Sequence, residues 1–398
     1  MQKNPVWVLI LILTPLVLSI SFSMDIYVPS LPLIIRNFHT SQQAVQWTLS
    51  IYMFGVGLGQ LFVGPLSDWL GRRKVVLTGL LVYLAGTLVC FFANSISILV
   101  IGRLLQSMGT CAALVVAFAV VKDLYDTKTS ANIYSILNAA TAVGPVIAPL
   151  LGGYLQMGFH TWRASFAFLF LFTAISLLTT FFFLKETWPL EKRIPLKPKE
   201  LKLRFKSILS SRLFLQNAYF ASVGLTVLFV FCCISSYLLI VQLHATQPQY
   251  GLTFASNAII FILANILSTR LSKHHLRLPI RLGCVLLFIG SLFMLILNLT
   301  EGLSLFHFML PMWVITLGAG LLMGPAVAIA LENFSHVSGT ATSLINASQF
   351  LFAGTIGTLL MLHTVTSAVP FAVVLVLLAL FSLLWLSKKR RNPSITTE

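Results

Sequence analysis

The sequence predicts an all-α integral membrane protein whose twelve transmembrane helices form two six-helix bundles. Hydrophobic residues make up 58% of the 398 residues, and charged residues only 9%. A soluble domain averages about 25% charged residues, so this composition excludes a soluble protein. Apolar stretches of about 20 residues, long enough to cross a bilayer as a helix, recur along the chain. We predict spans over residues 6–35, 45–67, 75–94, 97–121, 133–157, 164–184, 214–242, 252–269, 280–298, 306–331, 340–363 and 368–387.

One basic, proline-containing segment interrupts this series in the middle. It divides the chain into an N-terminal bundle at 1–185, a linker at 186–213 and a C-terminal bundle with a short basic tail at 214–398. Six spans on each side of a basic linker are the layout of transporters built from parallel repeats. Within the linker, three basic residues alternate with leucine and phenylalanine. This pattern fits either a surface helix against anionic membrane lipid or a solvated tether. The three basic residues are Lys202, Arg204 and Lys206.

The net charge of +16 indicates orientation in the membrane rather than a nucleic-acid partner. Basic residues concentrate at the termini and in the loops on the same side as the termini. All but three of the 26 lie there, the exceptions being Arg36, Arg103 and Arg163. Cytoplasmic loops of membrane proteins carry an excess of Lys and Arg. The distribution therefore predicts that both termini and the linker are cytoplasmic.

The run Gly-Pro-Leu-Ser-Asp-Trp-Leu-Gly-Arg-Arg-Lys at 64–74 follows the second span. Asp68 and Arg72 are four residues apart, so they can pair on a helical turn. A positively charged turn that anchors the topology is the alternative interpretation. The run resembles the loop between the second and third helices of the major facilitator superfamily, a family of secondary transporters. That resemblance implies a conformational latch between the two halves, formed by Gly64, Asp68, Gly71, Arg72 and Arg73.

Asp25 is the one acidic residue of ten that lies inside a predicted span. An ionised side chain at mid-bilayer costs at least ~2.5 kcal/mol, and burial favours the neutral form of a carboxyl group. Both facts suit a group that takes up and releases a proton. A structural role is the alternative, in which Asp25 bonds to neighbouring helices or breaks the helix before Pro29 and Pro32. The pattern Asp-x-Tyr-x-Pro-x-x-Pro resembles the first helix of drug/proton antiporters of the bicyclomycin-resistance type.

Arg103 is the one basic residue inside a predicted span, about two turns from the outer end of the fourth helix. Asp25 also lies in the outer half of its span, so the two side chains can pair or share a network of water molecules. Snorkelling of Arg103 to the outer headgroups is the alternative. The surrounding Ile-Gly-Arg-Leu-Leu-Gln-Ser-Met-Gly resembles a motif that the family associates with proton transfer. The resemblance implies a proton-coupling role for Asp25 and Arg103.

The fifth span is unusually rich in glycine and proline, which predicts a bent, closely packed helix. This stretch resembles the antiporter signature of the family, and the resemblance implies that it seals the pathway against proton leak. Its members are Gly144, Pro145, Pro149, Gly152 and Gly153. In this fold the substrate cavity lies between the two halves. Polar or aromatic candidates on the helices that line it are Tyr27, Asn138, Tyr237, Asn346, Gln349 and Phe352.

The predicted function is proton-coupled export of a small amphipathic compound, a drug or a metabolite, by alternating access. A proton symporter that imports a nutrient is the first alternative, and a membrane sensor or enzyme on the same scaffold is a remote one. An enzyme needs clustered catalytic groups at one depth, and the sequence offers no such cluster, so we assign no catalytic residue, cofactor or metal. The five cysteines are interpreted as apolar packing residues. We expect a monomer in the bacterial inner membrane whose partners are the substrate, protons and lipid.

Overall fold

The computed structural model describes residues 6–193, 198–273, 275–362 and 364–387, and this part of the chain is almost entirely α-helical. The N-terminal stretch 1–5 and the basic tail 388–398 lie outside the described residues. The helices are α1 (Val6–Asp25), α2 (Leu31–Phe38), α3 (Gln42–Leu70), α4 (Arg72–Phe91), α5 (Ile96–Leu124), α6 (Thr127–Phe159), α7 (Arg163–Phe183), α8 (Pro198–Leu209), α9 (Arg212–Ser236), α10 (Gln247–Ser272), α11 (Leu278–Thr300), α12 (Leu305–Leu331), α13 (Ser338–Leu360) and α14 (Val369–Ser387).

Within the described part of the chain, twelve helical segments are long and apolar enough to cross a membrane, which confirms the predicted number of spans. Several helices extend beyond the predicted boundaries by three residues or more, for example at both ends of α3 and of α10. The reason is that capping side chains determine where a helix begins, whereas the prediction used the apolar stretch alone. Ser41 Oγ accepts a hydrogen bond from Ala44 N at the start of α3, and Thr246 forms a capping box with Gln249 at the start of α10.

The first span, predicted over 6–35, is broken, as one of the alternatives for Asp25 foresaw. Regular α-helix ends at Asp25, a 3₁₀ turn follows at Val28–Ser30, and α2 then completes the crossing. Proline lacks a backbone N–H and restricts the residue before it. Pro29 and Pro32 therefore interrupt the hydrogen-bond ladder, and Asp25 lies at the interruption.

The seventh span, which opens the second half, changes its helical geometry at a similar depth. α9 ends at Ser236 and passes into a π-helical turn at Tyr237–Gln242. π-turns inside α-helices occur frequently at functional sites. Discontinuous helices in corresponding positions of two repeats are also typical of transporter binding sites. The two irregular stretches thus point to the same region of the molecule.

The two halves meet along α3 with α13, α6 with α10, and the broken first span with α9. Because twelve crossings bring the chain back to where it began, residues 6 and 387 lie on one side, which we call the termini side. Five side-chain hydrogen bonds join the halves within the described residues, and all lie toward the opposite side, called the far side. They include Gln42 with Val365 N (2.8 Å) and Ser50 with Thr358 (2.7 Å). This structure is therefore closed at the far side.

The linker contacts both halves on the termini side. Its first residues pack against the end of α3, as described below, and its helix α8 contacts α9 and α13. Ile208 is fully buried in that contact, whereas Leu203 is 66% exposed. The residues of α8 thus form a docked surface helix rather than a solvated tether, with the basic side chains of Lys202, Arg204 and Lys206 exposed.

Glycines hold α4 and α5 in close contact. Gly79 and Gly86 on α4 face Gly109 and Gly102 on α5, with the two glycines of each helix separated by seven residues, which places them on one helical face. A Cβ added at Gly86 would lie 2.7 Å from Gln106 N. Small residues that let backbones approach are the usual basis of helix packing in a bilayer.

We expect Gly86→Ala to destabilise the protein by about 1–3 kcal/mol, because the added methyl group overpacks this contact. Gly158→Ala is the matched control, since no atom lies within 4 Å of a Cβ at that position. Thermal unfolding of the two purified variants in detergent measures the effect. Equal midpoints for both variants would contradict the proposed role of the contact.

Candidate functional site

Asp25 lies where the first half touches the second. It ends α1 at the break of the first span, and its side chain is 6% exposed. Its Oδ1 atom accepts a hydrogen bond from the Cys232 thiol of α9 at an S–O distance of 3.7 Å. The one acidic group inside a predicted span is therefore buried between the two halves.

Arg103 is fully buried on α5, so the snorkelling alternative is wrong. Its Nε donates to the Thr48 carbonyl oxygen (3.2 Å), and its Nη1 donates to Gln106 Oε1 (2.7 Å). The guanidinium carbon lies 4.7 Å from the ring centre of Tyr27 and 4.2 Å from that of Tyr52. These cation–π contacts stabilise a desolvated guanidinium by about 2 kcal/mol each.

Asp25 and Arg103 do not form an ion pair: no N–O distance between these two described side chains is within 4.0 Å. The sequence left direct pairing and a shared water network open, and direct pairing is absent from this structure. The physical reason is that two tyrosine rings flank the guanidinium and Gln106 takes one amino group. Tyr27, one of these rings, follows Asp25 by two residues, so both charged groups belong to one region of the first half.

A shell of hydroxyl groups surrounds this pair of residues. Tyr27 OH bonds to Thr48 Oγ1 (3.0 Å), Tyr52 OH bonds to Thr110 Oγ1 (3.1 Å), and Ser23 bonds to Tyr83. Gln106 Nε2 also donates to Thr87 Oγ1 (2.8 Å). α1, α3, α4 and α5 thus contribute to one buried polar network within the first half.

Several buried polar atoms near the junction of the halves have no hydrogen-bond partner among the described residues. They are Arg103 Nη2, Gln46 Oε1, Ser236 Oγ and Tyr237 OH. Gln46 donates through its Nε2 to Cys233 Sγ (3.0 Å), across the junction of α3 and α9. An unsatisfied buried polar group is rare in a native protein and calls for a specific explanation, such as a water molecule or a ligand. These atoms give the junction the capacity to bind a polar group.

The six candidates for the substrate cavity fall into two groups, two that lie at the breaks of their spans and four that lie elsewhere. Tyr27 and Tyr237 are fully buried, and each lies at the break of its span. Among the described contacts, the other four do not touch Asp25 or Arg103. Asn138 is exposed, Asn346 is half-buried, Gln349 Nε2 donates to Ile345 O of its own helix (3.4 Å), and the ring of Phe352 packs against Tyr219 (5.8 Å).

The glycine- and proline-rich stretch of α6 packs directly on the broken first span. A Cβ at Gly144 would collide with Ser21, and one at Gly152 would collide with the carbonyl group of Ile26. Gly153 faces Gln247 of the second half. Pro145 and Pro149 lie inside a helix that continues through them. The glycines of this stretch therefore allow the backbone of α6 to contact the backbone of Ile26, the residue that follows Asp25.

The latch residues form an ion cluster at the termini side. Arg72 bonds to Asp68 (2.6 Å), to Asp123 at the end of α5 (3.0 Å) and to Ser67. Trp188 of the linker stacks on the same guanidinium (5.1 Å). The expected pairing of Asp68 with Arg72 is thus present, and the cluster also fixes the start of the linker.

The other latch residues show which half the cluster contacts. Gly71 has a φ of 98°, and the Arg72 amide beside it donates to Glu186 Oε1 (2.9 Å). Arg73 donates to Phe181 O (2.7 Å). The described hydrogen bonds and ion pairs of the cluster stay within the first half and the linker, because the halves are joined at the far side here. Gly64 faces the second half, since a Cβ added there would lie 3.8 Å from Ser343 Oγ.

Sequence reasoning missed several residues of the site. Gln106 could have been found from the sequence, since it lies three residues after Arg103 in the quoted motif. No sequence pattern pointed to Tyr52 or Tyr83 beyond their place in apolar spans. Cys232 was interpreted as packing, and only the three-dimensional structure shows its contact with Asp25.

Comparison with known proteins agrees with this architecture. The sequence profile of the Major Facilitator Superfamily matches residues 13–358. A chloramphenicol resistance protein of Pseudomonas aeruginosa is 32% identical over 88% of this chain and 83% of its own length. A bicyclomycin resistance protein homolog of Haemophilus influenzae is 28% identical over 93% of this chain and 92% of its own.

Among solved structures, a D-xylose–proton symporter superposes with a TM-score of 0.72 over 95% of this chain and 97% of its own, at 15% identity. That likeness concerns the fold. Profile, relatives and fold agree over nearly the whole chain: it belongs to the Major Facilitator Superfamily, a family of multi-pass membrane transporters rather than enzymes, and resembles within it the bicyclomycin- and chloramphenicol-resistance proteins.

Proposed function

We propose that this protein exports a small amphipathic compound in exchange for protons by alternating access. The observation that carries the proposal is the position of Asp25, a buried carboxyl group at the junction of the two halves. A proton carrier at that point changes its surroundings whenever the halves move. The names of the relatives favour an antibiotic or a related compound as substrate.

The side from which Asp25 takes up its proton follows from the proposed orientation. With the termini in the cytoplasm of a bacterial inner membrane, as the basic loops favour, the far side is the outside and this structure faces inward. Asp25 then loads its proton from the outside and releases it to the cytoplasm. We further propose that the protein acts as a monomer made of the bundles 1–185 and 214–398, and that the basic face of α8 lies on anionic lipid.

The fold alone does not decide between export and import, since a proton symporter shares it. The import alternative has no residue-level support beyond that likeness. The glycine- and proline-rich stretch of α6 favours export. Its backbone packs directly against Ile26, the residue after Asp25, with no side chain between them, and this close contact leaves little room for a leak of protons.

Energetics limit what one carboxyl group can drive. A proton crossing 100 mV contributes about 2.3 kcal/mol, and each unit of pH difference adds about 1.4 kcal/mol. Exchange of one proton for one monovalent cation is electroneutral, so only the pH difference drives it. Neutral compounds are therefore driven strongly and divalent cations weakly.

We expect Asp25→Asn to abolish substrate-triggered proton movement, because an amide takes up no proton. Inside-out vesicles with an imposed pH gradient and a pH-sensitive dye measure this on addition of chloramphenicol. Glu191→Gln, which removes an exposed carboxylate of the linker, is the matched control and is expected to behave as the native protein. Undiminished collapse of the gradient in Asp25→Asn would place the proton elsewhere, and uphill uptake of compound into right-side-out vesicles would favour import.

We expect Arg103→Lys to reduce transport by at least tenfold even though it retains the positive charge. An ammonium group cannot bond to Thr48 O and Gln106 Oε1 while stacking between Tyr27 and Tyr52. The rate of proton-driven chloramphenicol efflux gives the readout. Near-native rates in this variant would show that the charge alone matters and that the guanidinium geometry does not.

We expect Arg72→Ala to lower the free energy of unfolding by about 3–5 kcal/mol, since it leaves the carboxylate of Asp123 unpaired in a site that is 7% exposed. Lys74→Ala removes an exposed charge from the same turn and serves as control. Thermal unfolding in detergent, together with the efflux rate, tests both variants. The role of the cluster is refuted if the two variants unfold at the same temperature.

A further inference from the structure

The thiol of Cys232 occupies a position that packing alone does not explain. It lies in the second half, on α9, and it contacts a carboxyl oxygen of the first half. Cys232 is 3% exposed and Asp25 is 6% exposed, so bulk solvent does not reach the contact. Its chain neighbour Cys233 accepts a hydrogen bond from Gln46. Two adjacent residues of α9 thus bond to α1 and α3 on the far side.

We propose that Cys232 is a positioning residue for proton coupling: the far side closes on it when Asp25 is protonated and opens when Asp25 ionises. The inference rests on the proposed exchange of protons at Asp25. The new element is the thiol of Cys232, the group of the second half that contacts this carboxyl group.

The physical basis is the removal of Asp25 from water when the far side closes. An ionised carboxylate loses its hydration in that step, which is costly unless strong donors replace the water. A thiol is only a weak donor, and the described structure gives Asp25 no ion pair. The neutral acid has no such penalty and can still accept the thiol hydrogen bond through its carbonyl oxygen. Protonation therefore favours closure, and by reciprocity closure favours protonation.

The other groups around Asp25 do not reverse the preference of the closed far side for the protonated form of Asp25. Arg103 on α5 favours the ionised form, but Gln106 and two tyrosine rings engage its guanidinium group. Tyr52 on α3 and Tyr250 on α10 lie close enough to feel the charge of Asp25, but phenols ordinarily titrate only near pH 10 and so stay neutral. α6 and α7 contact α1 through glycine, serine and phenylalanine, which do not titrate.

The test uses Cys232 itself as the probe. In the full chain the other four cysteines (Cys90, Cys111, Cys233 and Cys284) are changed to alanine, and vesicles present the far side to a membrane-impermeant maleimide. The labelling rate is measured from about pH 6 to about pH 8 and divided by the rate of the same protein unfolded in detergent, which removes the intrinsic reactivity of the thiol. We expect this ratio to rise at least ~5-fold across the range. In Asp25→Asn it is expected to stay low throughout.

A direct electrostatic effect cannot imitate that result. A carboxylate next to a thiol disfavours the thiolate that reacts with maleimide, so ionised Asp25 without any opening would lower the ratio. A ratio that is constant or falls with pH in the native background, or that rises equally in Asp25→Asn, overturns the proposal.

A second set of variants tests the role of the thiol in transport. Cys232→Ala removes the donor, and Cys232→Ser retains one. Cys284→Ala is the matched control, since Cys284 is a buried cysteine on α11 and not on the α9 helix that contacts Asp25. We expect Cys232→Ala to move the midpoint of the pH profile of chloramphenicol efflux, Cys232→Ser to move it less, and Cys284→Ala to leave it in place. Three coincident profiles would overturn the role of Cys232.

The two experiments separate this inference from the proposed function. Labelling that depends on pH and Asp25 without any exchange of chloramphenicol for protons would uphold the closure contact and refute this antiport. Antiport with labelling that is independent of pH would uphold the function and refute the closure contact.

Discussion

Burial of an ionisable carboxyl group between two separately packed halves is the constraint on which the rest of the structure depends. A charge at this depth is tolerated only where protein, water or a proton compensates it. Asp25 meets that condition at an interrupted helix, where the backbone after it is free to turn away and its side chain reaches α9. The glycines of α6 are then required, because a side chain at Gly152 would collide with the backbone beside Asp25.

The second buried charge is held in a different way. Arg103 has fixed partners within the first half, two of them aromatic rings, and it keeps one amino group without a partner in the described structure. A guanidinium group is always protonated, so Arg103 supplies a permanent positive charge in the same half as Asp25, the carboxyl group that we propose carries the proton. Two tyrosine rings and Gln106 engage the guanidinium, and among the described residues it forms no ion pair that would hold Asp25 ionised.

The sequence predicted the number of spans correctly, because a lipid-facing helix must satisfy its backbone internally and must be apolar over its full length. It also singled out Asp25 and Arg103, each a lone charge in a span, and the structure buries both. Pro29 and Pro32 made a break after Asp25 one of the alternatives, whereas no residue pattern pointed to the π-turn at Tyr237. Tyr52 and Cys232 could not be predicted because their partners lie on other spans, within the first half for Tyr52 and across the junction for Cys232.

This division indicates where function resides in the molecule. The first half carries the carboxyl group, the arginine and the ion cluster of Arg72, and it connects that cluster to the linker through Glu186 and Trp188. The second half contributes an irregular span and a thiol. A proton bound wholly within one rigid half would leave the relation between the halves unchanged, since a ligand shifts an equilibrium only through its different affinity for the two states. A proton site at the junction necessarily has a different proton affinity in the two states, because closure of the far side buries the site.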